Sequence, residues 1–130
     1  MEKLLLFGIN DSDYCLIERI ASRLQMPCER ISPLYYHCRL EDIVSGKYKT
    51  LPASDTKISP MLTSKRLLVM CHLSDKRMDK LLFELRHAQI SLDYKAVLTP
   101  SNSSWTMPKL LLEMYTEKEA YANNGAKPLS

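Results

Sequence analysis

The sequence predicts a single α/β domain, a three-layer sandwich on a short, mostly parallel four-stranded sheet. Two observations carry this. The apolar runs Lys3–Ile9 and Leu67–Cys71 lack the polar alternation of a half-exposed strand and suit strands buried on both faces. Each is followed by capping residues and then by apolar residues at helical spacing. Strands alternating with helices favour parallel pairing through right-handed crossovers.

The elements follow in order. After the first strand, Asn10, Asp11, Ser12 and Asp13 offer N-caps, and Leu16, Ile17, Ile20, Ala21 and Leu24 form one helical face. Pro27 closes that helix. Arg30 to Tyr36 reads as a second strand, held at an edge by Pro33. Leu40 to Val44 reads as one or two helical turns ended by Gly46. Lys47 to Arg66 has no period and reads as a long loop or insertion. Leu67 to Cys71 is the third strand. Ser74 and Asp75 then cap a helix with Met78, Leu81, Leu82 and Leu85 on its apolar face. Tyr94 to Thr99 is the last strand. Thr106 caps a final helix with Pro108 in its first turn and Leu110, Leu111, Met114 and Tyr115 on its inner face. The domain is placed at 1–121, with a flexible tail at 122–130. The sequence shows no internal repeat.

A chain of 130 residues, 45% apolar and 25% charged, can build one core. Only three glycines argue against Gly-rich phosphate loops. The net charge of +3 is uneven: Lys47 to Lys80 holds eight basic residues against three acidic ones. Tyr48 is the one aromatic there, too little for a base-stacking platform, so nucleic acid is not expected. Cys15, Cys28, Cys38 and Cys71 show no paired spacing, and no apolar stretch has membrane length. With no signal peptide visible, these point to a cytoplasmic protein with reduced thiols.

In a parallel sheet, ligands bind beyond the carboxyl ends of the strands. Three loops should meet there. They carry Asn10, Asp11 and Asp13; His72, Ser74 and Asp75; and Thr99, Ser101, Asn102, Ser103, Ser104 and Trp105. Asp11 and Asp75 suit a cation, helix N-termini and hydroxyls suit an anion, and the same residue types also serve simply as caps. Trp105 either stacks on a ligand or partner or closes the strand end. Cys71-His72 and His37-Cys38 invite a zinc reading, but neighbours on a strand point to opposite faces, so no metal or cofactor is expected. No nucleophile, base and orienting group can be assembled, so the chain reads as non-enzymatic.

Residues from about Leu67 to Glu119 resemble a small bacterial family catalogued as domain of unknown function 3783. The likeness rests on Lys95-Ala96-Val97-Leu98-Thr99-Pro100, Asn102, Trp105-Thr106, Leu110-Leu111 and Glu113. Leu67-Leu68-Val69-Met70, Ser74-Asp75 and Leu81-Leu82 resemble its strand and helix. Two departures stand out: the family tends to have a small residue at the position of His72, and the Lys47–Arg66 loop is extended. The resemblance implies no activity, but it groups Lys95, Thr99, Asn102 and Trp105 in one structural or binding feature. At fold level only, Asp11 and Thr99 echo receiver-type signalling domains.

The resulting expectation is a small binding or interaction module. Its ligand residues would be Asp11, Ser74, Lys95, Thr99, Asn102 and Trp105, and it would meet a protein partner, a second copy or a small anionic ligand. A degenerate receiver-like regulator sensing an ion or anionic ligand is the alternative.

Overall fold

The computed structural model describes residues 1–54 and 60–124. Its four strands are β1 (Lys3–Phe7), β2 (Cys28–Arg30), β3 (Leu67–Cys71) and β4 (Tyr94–Val97), in the order β2-β1-β3-β4. The helices are α1 (Asp11–Arg23), α2 (Leu40–Val44), α3 (Pro60–Thr63), α4 (Asp75–His87) and α5 (Met107–Asn124). Side chains alternate between two cores along β1 and β3. Leu4, Leu6, Leu68 and Met70 pack with Ile17 and Ile20 of α1 and Leu81 and Leu85 of α4. Leu5, Phe7, Leu67, Val69 and Cys71 pack with Tyr36, Leu40, Ile43, Met107 and Leu110. Burial on both faces is what makes these two strands apolar without alternation.

The sheet is mixed, which corrects the expected mostly parallel arrangement. β1 pairs with β2 and β3 with β4 in parallel, but the central pair β1 and β3 is antiparallel, from Lys3 opposite Cys71 to Phe7 opposite Leu67. Alternation of elements fixes direction only within each strand–helix–strand unit. The long connection between Val44 and Leu67 lets the second unit enter reversed.

Three other expectations shift. The second strand is shorter and earlier, because Ser32 caps a 3-10 turn over Pro33–Tyr35. Proline lacks the N–H a ladder needs and suits a first helical turn. The Lys47–Arg66 loop holds a 3-10 turn at Lys47–Thr50, with Tyr48 buried, and α3; its residues 55–59 lie outside the described chain. The first residues of the expected tail are helical in α5, and 125–130 lie outside the described residues.

The structure also reveals the repeat that the sequence hides. Lys3 corresponds to Leu67, the N-cap Asn10 to the N-cap Ser74, and α1 to α4, at one constant offset. Both helices end alike: Gln25 (φ 58°) and Gln89 (φ 59°) are left-handed, and the N–H groups of buried Met26 and Ile90 donate to Ala21 and Leu85 carbonyls at 2.8 and 3.0 Å. This is the paired-carbonyl helix stop usually built on glycine. After a longer loop before β4 the match resumes. Ile31-Ser32-Pro33 corresponds to Leu98-Thr99-Pro100, with Ile31 and Leu98 N–H donating to Leu6 and Met70 carbonyls at 2.8 and 2.9 Å. Arg39, before α2, corresponds to Thr106, before α5, and the two pair with each other in an antiparallel bridge. Leu5 corresponds to Val69, and these two also pair. Corresponding residues that pair with one another mark a two-fold relation, so the chain is built like a homodimer on one polypeptide.

Two ion pairs obey the same relation with their charges exchanged. Asp13 of α1 holds Arg66 before β3; Arg77 of α4, at the corresponding place, holds Glu2 before β1 with two bonds of 2.7 Å. The Arg77 guanidinium holds the Glu2 carboxyl below its ordinary range. Pairing first half with first half would set Asp13 against Glu2, and second with second would set Arg77 against Arg66. Like-charge contacts of this kind select the heterologous pairing. Arg77→Glu is therefore expected to lower the melting temperature, and adding Glu2→Arg to restore most of the loss, measured by thermal denaturation. A double variant no better than the single one would show that the contact is not specific.

Candidate functional site

The two-fold relation brings α2 of the first half beside the strand-end loops of the second. In α2, the Leu40 and Glu41 N–H groups donate to Trp105 and Ser103 carbonyls, both at 2.8 Å. The space left beyond these bonds is an open groove of about 440 Å³. Glu41, Val44 and Ser45 form one wall, and His72, Leu98, Thr99, Pro100 and Ser103 form the rest. Val44, Leu98 and Pro100 make it apolar, while three hydroxyls, one carboxylate and one imidazole supply directional chemistry. Sites of this size and mixture take ligands in many proteins.

His72 is placed by backbone conformation. It follows β3 in the left-handed region, at φ 62°, where its first-half counterpart is Gly8 at φ 70°. Unlike Gln25 and Gln89, which are also left-handed, it does not end a helix. A side chain held there is uncommon and costs conformational energy. The imidazole is exposed at the groove.

The predicted ligand residues do not form one cluster. Asp11 follows β1, and since β1 runs against β3 it lies at the opposite end of the sheet from Ser74 and Thr99. There its exposed carboxylate meets Arg30 at 2.6 Å. Ser74 caps α4, accepting from Arg77 N–H at 3.3 Å. Lys95 is exposed in mid-strand, opposite Leu68 on the α4 side of the sheet. Thr99, Asn102 and Trp105 share one loop, and of these Thr99 lines the groove.

Asn102 is the one buried polar residue among those described, and its bonding explains why. Its Nδ2 donates to the Val97 carbonyl at 3.0 Å, and its Oδ1 accepts from Thr99 N–H at 2.8 Å. On the outer edge of β4 these are the groups a further strand would bond. One side-chain amide thus stands in for the missing strand. The Trp105 ring packs partly buried on the core, with the Lys109 ammonium 5.0 Å from its centre. The sequence places His72 and Ser103 in the strand-end loops without choosing them as ligand residues, and it gives no sign of Glu41, Val44 and Ser45 on the facing wall. The signal that could have found them is the paired Ile31-Ser32-Pro33 and Leu98-Thr99-Pro100, which marks equivalent strand ends.

Three of the thiols, Cys28, Cys38 and Cys71, are poor nucleophiles. Burial pushes Cys71 up to about 12 and raises Cys38 and Cys28 as well. No cluster of three or more His, Cys, Asp or Glu able to hold a metal ion occurs among the described residues.

With this geometry in place, a comparison with protein families locates the likeness. Residues 66–121 match the family described as Domain of unknown function (DUF3783). The matched segment begins just before β3 and ends within α5, so it coincides with the second half of the two-fold arrangement. The matched segment therefore supplies His72, Thr99 and Ser103 to the groove, while Glu41, Val44 and Ser45 come from outside it. No curated protein and no solved structure matches the chain. No described helix is long and apolar enough to cross a membrane.

Proposed function

We propose that this chain is a non-enzymatic binding module, and that its ligand surface is the groove between α2 and the carboxyl ends of β3 and β4. The observation that carries the reading is His72, kept in a costly backbone conformation beside a 440 Å³ groove. A cytoplasmic setting fits the four free thiols. The receiver-like alternative needs Asp11 and Thr99 at one edge, and the antiparallel centre of the sheet separates them.

The test is a small-molecule fragment screen by NMR on the full-length chain. Hits should shift the amides of His72, Thr99 and Ser103. Hits that cluster elsewhere, or none, would reject the site. A second expectation concerns strain. His72→Gly should raise stability by about 0.5–1 kcal/mol, as relief of the left-handed side chain outweighs the added freedom of the unfolded chain. Chemical denaturation measures it, and a loss of stability would mean that the His72 side chain makes contacts that matter more than its strain.

A further inference from the structure

The two-fold relation gives the groove a counterpart on the first half, and there the space is filled. His72 corresponds to Gly8, Leu98 to Ile31, Pro100 to Pro33, and Ser103 to Tyr36. On the facing wall, Val44 of α2 and its C-cap Ser45 correspond to Leu111 and Leu112 of α5. Between these counterpart walls lies α3 with the residues that follow it. Leu62 packs against the same core as Leu111. Thr63 lines a cleft of about 260 Å³ on the Gly8 and Tyr36 side, and Met61 and Lys65 line one of about 100 Å³ on the Leu112 side. The Lys65 carbonyl lies so close over Gly8 that a Cβ would overlap its oxygen and meet its carbon at 3.0 Å. The second half carries the same walls with no described segment between them.

From this we infer that the open groove takes a short polypeptide segment of a partner protein, one helical turn with a bulky aliphatic side chain seated where Leu62 sits in the first half. This rests on the reading of the groove as the ligand surface and names the class of its ligand. The chain's own α3 segment shows that walls of this shape accept a turn of backbone plus one aliphatic anchor. His72 in place of Gly8 denies the partner the close backbone approach of Lys65 and sets an imidazole beside its backbone instead. Thr99 Oγ1 accepts from the Asn102 N–H and keeps its own proton to donate, and Ser103 Oγ donates to the Pro100 carbonyl and keeps its lone pairs, so a free C=O and a free N–H at the ends of so short a turn each find a partner. A segment docked within its own chain gains millimolar effective concentration, so the same residues supplied separately bind weakly.

The experiment titrates a capped synthetic peptide of residues 60–66 into the isotope-labelled full-length chain, to roughly millimolar concentration. Saturable amide shifts are expected at Val44, Ser45, His72, Thr99 and Ser103. The same peptide carrying Leu62→Asp should bind roughly tenfold more weakly or not at all. Ser45→Trp in the protein, an exposed position just past α2, should block binding with only a small drop in melting temperature, that of its exposed bonds to the Asp42 carbonyl and the Lys47 N–H. Absence of shifts, or shifts confined to Gly8 and Tyr36 as the peptide displaces α3, overturns the inference. If fragments shift the groove and the peptide does not, the polypeptide class fails and the ligand surface stands. If neither does, both fail.

Discussion

Gly8→Ala is expected to destabilise the protein by about 2–4 kcal/mol, combining a side chain forced into the left-handed region with overpacking against an immobile neighbour. The new Cβ would overlap a backbone carbonyl oxygen, that of Lys65, and would crowd the segment from Thr63 onward. A flexible side chain could swing away, but here the obstacle is main chain that leads directly into β3. The least costly relief is to lift α3 out of the first-half groove, which exposes Leu62 and the core around Leu111. Denaturant unfolding should therefore show the lost stability, and hydrogen exchange should quicken first at Ser64 and Lys65, whose N–H groups donate to Pro60 and Leu62 carbonyls. His72 is the built-in control. It shares the position and the sign of φ, yet carries a full side chain in the second half. Equal tolerance of a side chain at both positions would show that α3 does not hold its groove as described.

This contrast also shows what the sequence could and could not reveal. The buried strands, the α4 face, the α1 face apart from the exposed Leu16, and the caps at Asn10 and Ser74 were legible, because local patterns of burial and hydrogen bonding write them directly into residue type. The direction of β3 against β1 was not. Parallel and antiparallel central strands buried on both faces look alike, and the reversal depends on a connection without periodicity. That one unreadable feature moved Asp11 to the far end of the sheet and left Thr99 as the predicted site residue that lines the groove. The internal duplication was hidden for a related reason. Its conserved content is backbone shape, and different side chains satisfy it: Gly8 and His72 hold the same left-handed turn, Asn10 and Ser74 the same cap, and the Asp13–Arg66 and Arg77–Glu2 pairs the same contact with opposite charge. Trp105 and Asn102 stood out in the sequence for a structural cause, since both close the end of β4.

Asn102→Leu is expected to cost about 2–3 kcal/mol, because removing one partner leaves the others unsatisfied. The Val97 carbonyl and the Thr99 N–H would lose the amide that completes the edge of β4, while the isosteric size of leucine avoids a large cavity. An edge strand with free bonding groups also pairs with other chains, so concentration-dependent self-association should accompany the loss, read by size-exclusion chromatography. Asn102→Asp separates hydrogen bonding from volume. Its carboxylate can still accept from Thr99 N–H, but it turns an acceptor toward the Val97 carbonyl and buries a charge. Both effects favour the protonated acid, which can donate to that carbonyl, so the folded state should hold its proton to a higher pH than the unfolded chain does. The sign follows: between the two values the folded state binds more protons, and stability rises as pH falls. The fluorescence of the single tryptophan, Trp105, whose backbone N–H donates to the Asn102 backbone carbonyl at 3.0 Å, reports unfolding from beside the mutated residue. A stability difference from the wild-type protein that does not change with pH would mean the side chain lies in water with an unshifted pKa, and that the edge of β4 is closed by something other than Asn102.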